Sequence, residues 1–64
     1  MLEVKTNGIF YNGNCIMSRS YERVNKHGTG FSALTSSGNI EMIYIKGNTI
    51  YIDDGNGEIA TLTI

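Results

Sequence analysis

Arginine and tyrosine alternate between positions 19 and 23, as Arg19, Tyr21 and Arg23. Side chains on a β-strand point alternately to its two faces, so we predict that these three share one face. Guanidinium groups pair with phosphates or carboxylates, and an aromatic ring between them can stack a base. The pattern indicates a strip that contacts an anion or a nucleotide. The alternative interpretation is a solvated strand face with a half-buried tyrosine.

Two further basic side chains, Lys26 and His27, follow in a segment that continues as Gly28-Thr29-Gly30. Successive backbone N–H groups in a glycine-bearing loop can form a concave anion site. The strand-to-helix context of a dinucleotide-binding loop is missing. We therefore expect a flexible binding loop over residues 25–30, with His27 as an exposed loop residue and not a catalyst.

A tyrosine pair is predicted in the second half of the chain. If Gly47-Asn48 forms a two-residue hairpin turn, Tyr44 faces Tyr51 across neighbouring strands. One face of this hairpin then holds Ile43, Ile45, Ile50 and Ile52 and must be core, and the other holds Met42, Tyr44, Lys46, Thr49 and Tyr51. Tyrosine is enriched at protein interfaces. The tyrosine face either contacts a partner or a second copy of the chain, or forms a second core covered by the N-terminal strands.

An acidic, glycine-rich segment spans residues 53–58. Residues 54–59 resemble the middle of an EF-hand calcium loop, with Gly57 at the sharp turn. The first ligand position falls on Ile52 and the closing carboxylate position on Thr63, and no helices are predicted on either side. We expect a turn with clustered acids and no metal site.

Catalysis has little support in the sequence. No Ser-His-Asp or Cys-His pair occurs at local spacing, and one histidine with one cysteine cannot complete a four-ligand zinc site. Cys15 lies in a β-rich run and is expected to be packed and unreactive. We predict that the chain is not an enzyme and has no catalytic residue, cofactor or metal.

Glycine–asparagine pairs punctuate the chain, and the residues between them favour β-strands. These pairs tolerate the positive φ of hairpin turns, and no segment shows a helical stripe. The predicted strands are 2–6, 9–11, 14–24, 31–35, 40–46, 49–53 and 58–64. We predict an all-β fold, a small antiparallel meander of five to six short strands that forms a curled sheet or a small barrel. A single sheet that dimerises through one face is the competing architecture.

The register of the last strand depends on the length of the loop before it. A three-residue loop at 55–57 places Ala60, Leu62 and Ile64 on the isoleucine face, whereas a four-residue loop places residues 59, 61 and 63 there. We favour the first, because each fully buried large aliphatic side chain contributes roughly 1.5–3 kcal/mol. The uncharged segment 59–64 is expected to pair on both sides, within a barrel or with another chain, although an ordinary edge strand is the simpler alternative.

Two turns are available in the first half of the chain. A turn at Asn12-Gly13 pairs Phe10 with Cys15 and Ile9 with Ile16. A turn at Asn7-Gly8 pairs residue 6 with residue 9 and residue 4 with residue 11. Both turns can be used in succession.

Sixty-four residues form a single domain, 1–64, close to the smallest size that folds alone. The lone cysteine rules out an internal disulfide, so self-association is the device we expect to add stability. Residues 1–30 hold four Lys/Arg against two Glu, and residues 31–64 hold one Lys against four Asp/Glu. This asymmetry favours head-to-tail contact or local anion attraction over general nucleic-acid binding.

The compartment is inferred from what the sequence lacks. The N-terminus has an early acid and no long apolar run, which is unlike a signal peptide, and no stretch is long enough to span a membrane. A single thiol suits a reducing cytosol, so a cytoplasmic, non-membrane protein is expected.

The first functional hypothesis is a non-enzymatic interaction or inhibitory module that self-associates and binds a protein partner. Its contacts would come from the tyrosine face or from the Arg19–Arg23 strip. Small chains of this format are common among phage and mobile-element proteins that block a host factor. The second hypothesis is a small binder of single-stranded nucleic acid or a nucleotide, and the third is a structural subunit of an assembly.

Overall fold

Eight short strands joined by tight turns make up the protein, and a computed structural model describes all 64 residues. The strands are β1 (Leu2–Lys5), β2 (Gly8–Tyr11), β3 (Asn14–Ser18), β4 (Tyr21–His27), β5 (Gly30–Thr35), β6 (Ile40–Lys46), β7 (Thr49–Asp53) and β8 (Ile59–Thr63). The all-β antiparallel prediction is confirmed, with eight strands in place of five to six. The fold has no helix of the length and hydropathy that crossing a membrane requires.

The strands form two sheets, one of order β1-β2-β3 and one of order β4-β5-β6-β7-β8. Neither sheet closes into a barrel, so the barrel alternative does not hold. The predicted strand 14–24 is interrupted at Arg19-Ser20, where the chain leaves the first sheet and enters the second. The Tyr21 N–H donates to the Thr6 carbonyl at 2.9 Å and fixes this corner to the β1–β2 turn.

The registers predicted for the C-terminal half are confirmed. Tyr44 lies opposite Tyr51, with Ile43 opposite Ile52 in the neighbouring pair. In β8, Leu62 lies opposite Ile50 and Ala60 opposite Ile52, which is the register of the three-residue loop. Leu62 is partly buried beside the isoleucines, but Ala60 is exposed and Ile64 is 40% exposed, so the register is as predicted while the full burial expected of Leu62 and Ile64 is not observed.

The N-terminal hairpins differ in detail from the prediction. Two hairpins follow one another, and Phe10 pairs with Cys15 as expected, but Val4 pairs with Ile9 and not with Tyr11. A β-bulge next to this pair places Ile9 opposite Met17, so the predicted pairing of Ile9 with Ile16 is wrong. An extra residue on one strand of an antiparallel pair shifts every following pair by one position.

The first turn lies at Thr6-Asn7 and not at Asn7-Gly8, because Gly8 is already part of β2. A Cβ at position 8 would lie 2.6 Å from the carbonyl oxygen of Met17 on the neighbouring strand. Glycine at this position therefore permits close approach of β3 and does not serve as a turn residue.

The core lies between the two sheets. The isoleucine face of the larger sheet contributes Ile43 and Ile50, which are fully buried, and Ile9 of β2 is fully buried against them. Leu2 and Val4 of β1 join the same cluster. Because the N-terminal strands cover the isoleucine face, the alternative that they cover the tyrosine face as a second core does not hold.

Candidate functional site

We call the uncovered side of the five-stranded sheet the outer face. Directly opposed residues of paired strands share a face, so the registers define its members. Its side chains are Arg23, Asn25 and His27 of β4; Ser32 and Leu34 of β5; Ile40, Met42, Tyr44 and Lys46 of β6; Thr49, Tyr51 and Asp53 of β7; and Ile59, Thr61 and Thr63 of β8. No element of the chain packs across this face.

A group of large apolar and aromatic side chains lies together on the outer face. We call this group the apolar patch; it consists of Leu34, Ile40, Met42, Tyr44, Tyr51 and Ile59. Ile40 is 57% exposed, Met42 43% and Ile59 54%. A contiguous exposed apolar surface on a small protein is typical of an interaction site, since single scattered apolar side chains are the norm elsewhere.

The two tyrosines form a stacked pair beside the exposed aliphatic side chains. Their ring centroids are 5.2 Å apart and the ring planes differ by 11°. The next strand carries Gly30 at the corresponding position, where a Cβ would lie 3.5 Å from the Tyr44 Cβ. Since glycine has no side chain, the side of Tyr44 that faces away from Tyr51 is not covered by this neighbour. The rings thus form a rigid surface with two rotatable side-chain bonds each, which limits the entropy lost on binding.

Charged residues of both signs border the apolar patch. Arg23 lies opposite Leu34, and Lys46 lies at the far end of β6. Asp53 lies between Met42 and Ile59. A cavity of about 220 Å³ opens where Arg23 and Asn25 meet Leu34 and Ile40.

The Arg19–Arg23 strip does not form. A bulge in β4 places Tyr21 opposite Thr35 but Arg23 opposite Leu34, and these partners are consecutive residues with opposite facing side chains. Arg23 therefore lies on the outer face, while Tyr21 is buried on the inner side of the sheet. The prediction that Arg19, Tyr21 and Arg23 share one face is wrong, because it assumed an unbroken strand.

Arg19 and Tyr21 instead hold a buried carboxylate. The Tyr21 hydroxyl donates to Glu41 Oε1 at 2.7 Å, and the Arg19 guanidinium donates to Glu41 Oε2 in an ion pair. The Glu41 side chain is 7% exposed and that of Arg19 is 35% exposed. The guanidinium also lies 5.7 Å from the centre of the Tyr21 ring. Buried charge needs such partners, so this cluster has a structural use that competes with ligand binding.

The cluster shifts the ionisation of the tyrosine. Burial raises the pKa of Tyr21 well above its ordinary value, and the hydrogen bond to Glu41 and the charge of that carboxylate raise it further. The positive charge of Arg19 lowers the pKa of Tyr21, but this effect is smaller than those that raise it. Tyr21 is therefore a neutral hydrogen-bond donor wherever the protein is folded near neutral pH.

Lys26 and His27 lie at the end of β4 and not in a loop, because the reversal between β4 and β5 consists of Gly28 and Thr29 alone. Lys26 lies opposite Phe31, on the side of the sheet that faces the core, and His27 lies opposite Gly30 on the outer face. The two basic side chains therefore diverge. The predicted flexible loop over 25–30 is wrong in its extent, since Gly28 alone supplies the positive φ that the short turn needs.

A serine–histidine contact was not foreseen from the sequence. His27 Nε2 and Ser32 Oγ lie 2.8 Å apart across the β4–β5 hairpin, at an exposed position. This is the distance at which an imidazole can accept a serine proton. The second ring nitrogen has no hydrogen-bond partner in the protein, whereas hydrolytic triads orient the imidazole through that nitrogen. The contact ties the two strands together, and we assign it no reaction.

The acidic segment 53–58 folds as a turn stabilised by its own side chains. The Asp53 carboxylate accepts from the Gly55 N–H at 2.9 Å, and the Asp54 carboxylate accepts from the N–H groups of Asn56 at 2.8 Å and Glu58 at 3.3 Å. No group of three or more His, Cys, Asp or Glu side chains is arranged to hold a metal ion.

The exposure of Cys15 and the positions of Ile40 and Ile59 were not predicted from the sequence. Cys15 is exposed on β3, contrary to the expectation that it packs, because it lies opposite Phe10 on the face of the smaller sheet that points away from the core. Ile40 and Ile59 belong to the apolar patch, although they read as ordinary strand residues. The alternation of side chains along a strand was the available signal. Ile40 lies two positions before Met42 and four before Tyr44, so the three share a face. Ile59 lies opposite Asp53, which is on that same face.

Comparison with known proteins gives no relative. The chain matches no protein-family model, and no significant match to a curated protein or a solved structure is found.

Proposed function

We propose that this protein is a non-enzymatic interaction module that docks a protein partner on the apolar patch. The observation that carries the proposal is the contrast between the two faces of the larger sheet. The isoleucine face is filled by the N-terminal strands, whereas Ile40, Met42 and Ile59 are each more than two-fifths exposed beside a stacked tyrosine pair. Burial of such side chains against a partner is favourable by roughly 25 cal/mol per Å² of apolar surface.

The chemistry of the outer face suits a protein partner with its own apolar or aromatic centre. The apolar patch contains no charged residue, and its border carries Arg23, Lys46 and Asp53. Protein interfaces have this arrangement of an apolar centre inside a charged border. A phosphate-rich partner is less well served, since Arg19 is occupied by Glu41 and Lys26 lies on the other side of the sheet.

Photo-crosslinking in the native host tests the proposal. A photoreactive phenylalanine analogue replaces Met42 at the centre of the patch, and in a matched variant it replaces Asn14, an exposed residue of the smaller sheet. We expect a discrete protein adduct from position 42 and none from position 14. We also expect that Tyr51→Thr, which keeps a β-favouring residue, abolishes the adduct.

Two outcomes contradict the proposal. One is an adduct that nuclease treatment removes, which would show that nucleic acid occupies the face. The other is that the same adducts form from positions 42 and 14, or that Tyr51→Thr leaves the adducts from position 42 unchanged. Either result would show that the crosslinks come from random encounters and not from a docking site.

A further inference from the structure

Strand β8 is an edge strand of the larger sheet and is paired on one side only. Its neighbour is β7, and no other strand lies against its opposite side. The five residues Ile59–Thr63 carry no charge and no proline, and only Leu62 is partly buried. The expectation that this segment pairs on both sides is therefore not met within one chain. An uncharged, regular edge strand is a template for pairing with another strand.

The other three sheet edges are protected by features that β8 lacks. β1 carries the exposed charges of Glu3 and Lys5. β3 is distorted by the bulge beside Cys15. β4 has both a bulge and the charges of residues 22, 23 and 26. Charge and bulges are the usual means by which edges are kept from pairing, so β8 is the one edge left open.

The hydrogen bonds at the ends of β8 show which of its backbone groups are free. The Ile64 N–H donates to the Asn48 carbonyl, and the Glu58 carbonyl accepts from the Asp54 N–H. Backbone groups alternate in direction along a strand, so residues 58, 60, 62 and 64 bond towards β7. Ile59, Thr61 and Thr63 therefore direct both their N–H and their C=O groups away from the sheet.

We propose that β8 pairs with β8 of a second copy of this chain, antiparallel and about a two-fold axis at Thr61. Thr61 then lies opposite Thr61 of the second copy, and Ile59 lies opposite the second copy's Thr63. Each of these pairs exchanges two backbone hydrogen bonds, as the free groups require. A second copy is favoured as the occupant because this register brings no charged side chain against another and places Ala60 beside Leu62 on the core side.

The two five-stranded sheets become one sheet of ten strands in this dimer. A two-fold axis perpendicular to the sheet keeps both outer faces on the same side. The two apolar patches are then joined through the threonines of β8. The proposal rests on the open edge alone and does not depend on the proposed function, which concerns the outer face.

Analytical ultracentrifugation of the full chain over a range of concentrations tests the pairing. Contacts along one short strand bury little surface, so we expect a weak dimer with a Kd between about 1 µM and 1 mM. Thr61→Pro removes an outward N–H that bonds to nothing within the chain, and edge strands tolerate proline there. We expect it to weaken the dimer at least about tenfold while circular dichroism remains that of the native sheet.

A charge-swap pair tests the register and guards against misfolding of the proline variant. Thr61→Lys and Thr61→Glu each place like charges opposite one another at the axis and should be monomeric. An equimolar mixture should recover the dimer, because position 61 of one copy faces position 61 of the other. Ile40→Ser lies on the outer face away from β8 and should leave the dimer unchanged.

Three results overturn the proposal. A wild-type chain that stays monomeric at about 1 mM shows that the edge does not self-pair. A dimer that Thr61→Pro and Thr61→Lys leave intact shows that it forms elsewhere. A dimer lost in Ile40→Ser but retained in the position-61 variants shows that two copies associate face to face through the apolar patch.

Discussion

The guanidinium of Arg19 is paired with the carboxylate of Glu41, a residue 22 positions later in the chain. Arg19 lies in the corner between the two sheets and Glu41 lies in β6, near the middle of the larger sheet. The contact therefore links the corner to the sheet that carries the outer face. It also explains why a residue that the sequence offers for ligand binding is used inside the fold.

Arg19→Ala is expected to destabilise the protein by about 1–3 kcal/mol, because Glu41 then keeps its burial with only the Tyr21 hydroxyl as partner. The loss of stability should stay below that found when a fully buried ion pair is broken, because the Arg19 side chain is 35% exposed and solvent screens part of the interaction. Urea unfolding measures the loss. Arg23→Ala is the matched control, and its exposed position should keep the change within about 0.5 kcal/mol. Equal losses from both variants would show that the ion pair has no structural part.

The raised pKa of Tyr21 predicts a loss of stability at alkaline pH. Below the ordinary tyrosine pKa of about 10 the phenol is protonated in both states, and its contribution to stability is complete. Above that pH the unfolded chain releases the proton while the folded chain holds it, so the free energy of unfolding falls. Urea midpoints measured at increasing pH should decline more steeply for the wild type than for Tyr21→Phe. Parallel curves for the two proteins would contradict the assignment.

Gly8→Ala is expected to be costly because the added Cβ would meet the Met17 carbonyl oxygen at 2.6 Å. Neighbouring backbone cannot move aside as a flexible side chain does, so we expect a loss of more than about 2 kcal/mol. Gly13→Ala is the control, since its Cβ would meet nothing within 4 Å and only the positive φ opposes it. That variant should lose about 1 kcal/mol. The prediction fails if thermal unfolding ranks Gly13→Ala as the worse of the two.

Two isoleucines of β6 test which face of the larger sheet is covered. Ile43 is fully buried and Ile40 is 57% exposed, although they lie three positions apart on one strand. Ile43→Ala should cost about 2–5 kcal/mol, as expected for a large aliphatic side chain in a packed core. Ile40→Ala should cost less than about 1 kcal/mol. A reversed order in urea unfolding would mean that the N-terminal strands pack on the outer face.

Much of the C-terminal half could be predicted from the sequence, because its turns and its hydrophobic pattern agree. Gly47-Asn48 fixes the β6–β7 turn, and any slip by one residue would expose the isoleucines. The tyrosine pair and the β8 register follow from the same argument. The tyrosine half of the candidate site was therefore visible in the sequence.

The N-terminal half and the basic strip were less predictable for a physical reason. β-bulges beside Cys15 and after Tyr21 each insert one residue and reverse the facing of all that follow. No local residue pattern marks either bulge. The bulge after Tyr21 places Arg23 on the opposite face of the sheet from Tyr21. Glu41, the buried acid that binds Tyr21, lies 20 positions later in the chain.

The affinity of the partner captured at position 42 shows whether the apolar patch is the docking surface. Titrations should compare the wild type, Tyr51→Thr and Arg23→Ala, each at low and high salt. We predict that Tyr51→Thr weakens binding by at least about 30-fold, as a central aromatic contact does, with little dependence on salt. An affinity that is unaffected by Tyr51→Thr but falls steeply with salt and with Arg23→Ala would show that the partner binds through charge and not through the apolar patch.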